Sequence, residues 1–107
     1  MAQIKVLEEN FNPQIPTREV VYNDKNVRVM RFYLKAGQEI KPHRSPSTVV
    51  ITVLKGKLSF FIGSENREET LKEGASVFYD PEEAHGFKAL EDSVVQAVVA
   101  PNPTKRS

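Results

Sequence analysis

Hydrophobic and polar positions alternate with a period of two over much of this chain. In Val27-Arg28-Val29-Met30-Arg31-Phe32-Tyr33-Leu34, Met30, Phe32 and Leu34 take one parity while Arg31 and Tyr33 take the other, as in a strand buried on one face. Leu58, Phe60 and Ile62 repeat the pattern. Thr48-Val49-Val50-Ile51-Thr52-Val53-Leu54 is nearly continuous and rich in β-branched residues, which suits a strand covered on both faces. Ser76 to Tyr79 and Ser93 to Val99 predict two more strands. Arg67 to Lys72 fits a helical turn, and Glu69-Thr70-Leu71 within it serves equally as an edge strand.

Turn residues separate these runs at short intervals: Asn23-Asp24-Lys25-Asn26, Lys35-Ala36-Gly37, Lys55-Gly56, Gly63-Ser64-Glu65-Asn66, Lys72-Glu73-Gly74 and Asp80-Pro81. Strands spaced this way predict an all-β sandwich or barrel in place of a βαβ repeat. The five glycines are expected in the connections and the seven prolines outside strand interiors. One domain over 1–107 is expected, with a core at about 27–99, an N-terminal arm over 1–26 and a loose, solvated tail over 101–107.

Composition narrows the function classes. The 107 residues are 39% hydrophobic and 27% charged, which suits one globular domain. A net charge of +1 supplies no bulk field for nucleic acid or an anionic membrane. Lys105-Arg106, with Lys41 and Arg44, make no long basic stripe. The absence of cysteine removes disulfides, thiol nucleophiles and zinc knuckles. No apolar run is long enough for a signal segment or a membrane span, so a cytoplasmic location is expected.

Two histidines are the whole imidazole inventory. His43 and His85 each follow a Pro-bearing turn and lead into a strand-like run. Gly37 precedes His43 by five intervening residues; Arg44, Ser45, Val49 and Gly56 then fall at fixed spacing. Gly74 stands ahead of Asp80-Pro81-Glu82-Glu83-Ala84-His85, with Ala89 four positions later. These two strings, with Val53-Leu54-Lys55-Gly56-Lys57-Leu58 between them, resemble the paired motifs of the cupin superfamily, and the likeness runs from roughly Val27 to Val99. The resemblance implies a double-stranded β-helix, a jelly-roll barrel.

Metal-dependent cupins hold a divalent ion through three histidines and a glutamate. The resemblance puts His43 and His85 at two of those positions, Ser45 and Val49 at the others. His43 and His85 are therefore candidate ligands for iron, manganese, nickel or zinc, short of the third protein ligand that a facial site needs.

Strand parity sends Val49, Ile51 and Val53 inward with His43 and Ser45, and Phe87 and Ala89 inward with His85. Gln96, the polar residue of the last strand, points inward with Val94 and Val98 or else faces solvent. Glu82 and Glu83 either swing over the barrel mouth or stay in solvent, and Arg44 is a candidate rim clamp for a carboxylate. The candidate ligand-binding set is His43, Ser45, His85, Phe32, Phe87 and Gln96. An apolar interior with few polar groups suits a small-molecule site, although so small a barrel can also be filled by its own side chains.

Three readings follow: a small-molecule binding module with or without a loosely held metal, a metal-dependent oxygenase or isomerase, and a barrel kept for its dimer interface. A homodimer is expected in each, with Arg18 to Tyr22 and the Phe11 to Pro16 arm laid on a partner.

Overall fold

The computed structural model describes residues 2–104; Lys105 and Arg106 of the basic pair lie outside them. Nine strands form two antiparallel sheets. In chain order they are β1 (Thr17–Asn23), β2 (Arg28–Leu34), β3 (Glu39–His43), β4 (Thr48–Lys55), β5 (Lys57–Ile62), β6 (Arg67–Lys72), β7 (Ser76–Tyr79), β8 (His85–Ala89) and β9 (Ser93–Ala100). One sheet runs β1-β2-β9-β4-β7 and the other β3-β8-β5-β6. A short 3₁₀ turn, Gly63–Glu65, joins β5 to β6. Among the described residues no helix is long and apolar enough to cross a membrane.

The period of two translates directly into a core between the sheets. Val49, Ile51 and Val53 of β4 lie at most 2% exposed and meet Leu58 and Phe60 of β5, both fully buried, and Phe87 of β8. Met30 and Phe32 pack against this cluster. Arg67–Lys72 is the edge strand of its two sequence alternatives, paired residue for residue with β5.

Four expectations change. Arg18 to Tyr22 belong to β1, which pairs with β2 of the same chain, so the first sheet begins within the segment assigned to the arm. The rest of the arm lies across that sheet's outer face. There the Val6 carbonyl accepts from Arg31 at 3.4 Å, Glu9 pairs with Lys55, and Phe11 meets the Tyr33 ring edge-on at 6.2 Å. Covering this face explains why Tyr33 and Val94, directly opposite each other, are buried on the side away from the core.

The tail is anchored as far as it is described. Asn102 is only 1% exposed; its Nδ2 donates to Asn23 Oδ1 and to the Asp24 carbonyl, and its Oδ1 accepts from Thr104 N and Oγ1. Substituting Asn102→Ala leaves two acceptors unmet at the β1–β2 turn and is expected to cost about 1–3 kcal/mol, read as a lower urea midpoint at unchanged slope.

Finally, Gly86 lies inside β8 and Pro42 inside β3. Both departures have one cause. The β3–β8 register shifts between Ile40 and His43, and such a bulge on an edge strand accepts a proline that has no N–H for the ladder. Gly86 faces that bulge, with no room for a Cβ.

Candidate functional site

The bulge sets the register of the histidines. His43 and His85 are direct partners across β3 and β8, and their ring centroids lie 4.3 Å apart. Each ring is oriented by a main-chain carbonyl two residues earlier: His43 Nδ1 sits 3.1 Å from the Lys41 oxygen and His85 Nδ1 3.0 Å from the Glu83 oxygen. Carbonyls only accept, so both nitrogens carry the proton in the neutral rings, and Nε2 keeps the free lone pair. His85 is buried and stacked 5.1 Å from Tyr79, whereas His43 is exposed at the rim.

Both rings line a cavity of about 270 Å³ at one end of the barrel. Phe32, Met30, Val49, Ile51, Phe87, Ala97 and Val99 supply apolar walls, Ser45 adds a hydroxyl, and Arg28, Pro103 and Thr104 complete the lining. Phe32 and Phe87 meet edge-on at 5.5 Å. Five of the six candidates, His43, Ser45, His85, Phe32 and Phe87, are thus brought together.

Gln96 is not among them. Met30 pairs with Ala97 and Phe32 with Val95, and residues directly opposite share a face, so β9 turns Val95, Ala97 and Val99 inward. Gln96 falls on the outer face with Val94 and Val98, where its Oε1 accepts from Arg31 Nε at 2.8 Å. Glu83 is turned away from the mouth: its carboxylate accepts from the Ser64 and Asp80 amides. Ser64, through its hydroxyl first and then its amide, holds it below the usual carboxylate range with help from Asp80. The rim guanidinium of Arg44 donates to the Glu82 carbonyl and braces that loop.

Arg28 escaped the sequence reading although the signal was present. It shares the parity of Met30 and Phe32, one further step toward the end of β2. Pro103 and Thr104 carried no such signal, because contacts distant in sequence, at Asn102 and from Ser47 to the Pro101 carbonyl, bring them back to the barrel.

The donor set does not fit a resident metal ion. His43 and His85 offer two Nε2 atoms, Val49 offers none, and the Ser45 hydroxyl accepts from the Ser47 amide at 3.2 Å. Among the described residues no three His, Cys, Asp or Glu side chains gather. Closed transition-metal sites use four protein ligands and open facial ones three.

Burial pushes the His85 imidazole below its ordinary value of 6.5; the Glu83 carbonyl opposes this and the adjacent His43 ring adds to it. Because the folded state resists the proton, acidification below about pH 6.5 protonates the unfolded chain first. Stability is therefore expected to fall from there downward and to be insensitive to this group above it. Urea midpoints followed into acid for the wild type and His85→Gln check this; parallel curves contradict it.

Two antiparallel sheets rolled around an apolar cavity, with motif-borne histidines at its mouth, define a double-stranded β-helix barrel. The family model described as "Cupin domain" matches residues 30–101, and the chain belongs to the cupin family. Its structure is similar to an RmlC-like cupin protein from Desulfovibrio desulfuricans, 29% identical over 94% of this chain and 97% of that one, with a TM-score of 0.84. A conserved protein with a double-stranded β-helix domain from Klebsiella pneumoniae is 25% identical over 94% of both chains, TM-score 0.82. The polyketide cyclase RemF from Streptomyces resistomycificus shares the fold at 19% identity and a TM-score of 0.67, over 80% of this chain and 63% of its own. No protein of curated function matches the sequence.

Proposed function

We propose that this cupin binds a small, mainly apolar molecule inside the barrel, with His43 and His85 presenting paired acceptor nitrogens to a donor group on it. The observation that carries this reading is the mainly apolar cavity of about 270 Å³ with only a few polar groups in its lining. A pocket of that build places most of its binding energy in apolar contact and its selectivity in a handful of polar atoms.

Methyl-resolved NMR titration with toluene tests it. Saturable shifts centred on Met30, Ile51 and Val99 are expected; shifts confined to surface methyls contradict the reading. Elemental analysis of untagged protein separates it from the metal-dependent oxygenase or isomerase reading, which needs stoichiometric metal that is lost in His43→Ala.

A homodimer accompanies the proposal. Both outer strands of the five-stranded sheet carry exposed apolar side chains, Val20 and Tyr22 on β1 and Phe78 on β7, the last 71% exposed. Such edges favour pairing with a second copy. Light scattering is expected to return twice the chain mass.

A further inference from the structure

Among the described residues Arg28 is the only arginine, lysine or carboxylate side chain lining the cavity. It is half-buried at the start of β2. Through the ladder Arg28 pairs with Val99, Val99 with Val49, and Val49 with Tyr79, so these four form one row across the first sheet. The Tyr79 end of that row stacks on His85 of the second sheet, while Arg28 stands at the other end.

Arg31 is held by Gln96 and the Val6 carbonyl, Arg44 by the Glu82 carbonyl and Arg67 by Glu65 and Glu69, while Arg18 lies over the Phe32 ring. Arg28 takes part in none of the ion pairs among the described residues. Among the described residues its one side-chain hydrogen bond is a long one, from Nη1 to Thr104 Oγ1 at 3.4 Å. A guanidinium offers five N–H donors in a planar fork, and this contact uses one of them. A cation beside apolar walls is poorly solvated and gains most from an anion delivered to it.

We propose that Arg28 makes the cavity selective for a small apolar carboxylic acid, bound as its anion, with the carboxylate on the guanidinium and the hydrocarbon part against Met30, Phe32 and Phe87. The inference rests on the small-molecule reading above and adds the charge of the ligand to it. Planar two-point pairing is what an arginine fork matches best, and a single arginine suits one negative charge rather than two. Thr104, tied down by Asn102, fixes one side of the fork and leaves the other open.

Hexanoate and hexanol share a chain and differ at the head group, and titrating both into the full chain at neutral pH by NMR tests the assignment. The wild type is expected to bind hexanoate at least tenfold more tightly than hexanol. Arg28→Met is expected to abolish that preference, with its hexanol titration reporting whether the cavity is still open; Arg28→Lys keeps the charge, loses the fork and falls between. Equal binding of acid and alcohol by the wild type, or a preference that survives Arg28→Met, overturns the role of Arg28. Hexanol binding alone refutes the acid and leaves the cavity reading standing, whereas failure of the wild type to bind either probe refutes both.

Discussion

Gly86→Ala is expected to break the site without altering any residue that lines it. A Cβ at position 86 would stand 2.8 Å from the Ile40 carbonyl oxygen, 2.8 Å from Pro42 N and 2.9 Å from Pro42 Cα. These are backbone atoms of the neighbouring strand, so no rotamer change relieves the overlap and β3 itself must move. Overpacking of this kind costs roughly 1–3 kcal/mol and sometimes more. The atoms displaced belong to the bulge that sets His43 opposite His85. Ligand binding should therefore drop further than stability, because the 4.3 Å separation of the rings is lost even in molecules that stay folded. Urea midpoints together with hexanol titration read the two effects separately. A variant with wild-type affinity would show that the register tolerates the extra carbon and would sink the account given for this glycine.

The same bulge marks where sequence reasoning stops. Strands β2 and β5 were legible because the alternation there reports a single physical fact, one face on the core. By contrast β4, whose β-branched run suits cover on both faces, buries one face fully and the other only in part. In β9 both parities are apolar, and the phase could not be read: Val95 and Ala97 face the core while Val94 is buried under the arm that also covers Tyr33. Gln96 stayed open between the two faces for that reason, and it takes the outer one. The bulge in β3 leaves no local pattern of its own, since Pro42 reads as a strand breaker until an unpaired edge is known to run beside it.

The two histidines became a pair through the spacing of the motifs they sit in; periodicity alone would have left them as separate loop-edge residues. Ser45 and Val49 stand at the remaining motif positions, where Val49 has no donor atom to offer a metal. Arg28 illustrates the opposite case. A charge at an inward position contradicts the hydrophobic pattern that defines inward, so parity was read only as far as Met30. Asn102 looked like a solvated loop residue because its partners, Asn23 and Asp24, lie at the other end of the chain.

Phe87→Ala should produce the largest loss of stability among the cavity residues, and part of that loss should be recoverable by a ligand. Phe87 is 4% exposed and serves both regions: it contacts Phe32 within the cavity wall at 5.5 Å and Phe60 of the central core at 5.5 Å. Truncating a buried phenylalanine costs about 3–5 kcal/mol, through lost transfer energy and the void left behind. The void would open onto a space that already exists, making one larger apolar chamber beneath the histidines. Any molecule that enters it and ignores the unfolded chain stabilises the variant by mass action, by about 2.7 kcal/mol at a hundredfold excess over its Kd. Benzene matches the missing ring, so it should raise the urea midpoint of Phe87→Ala well above the small increase it gives the wild type. Equal shifts in both proteins would mean that the two sheets close over the gap, and the cavity would then be no more than loose packing at the end of a barrel.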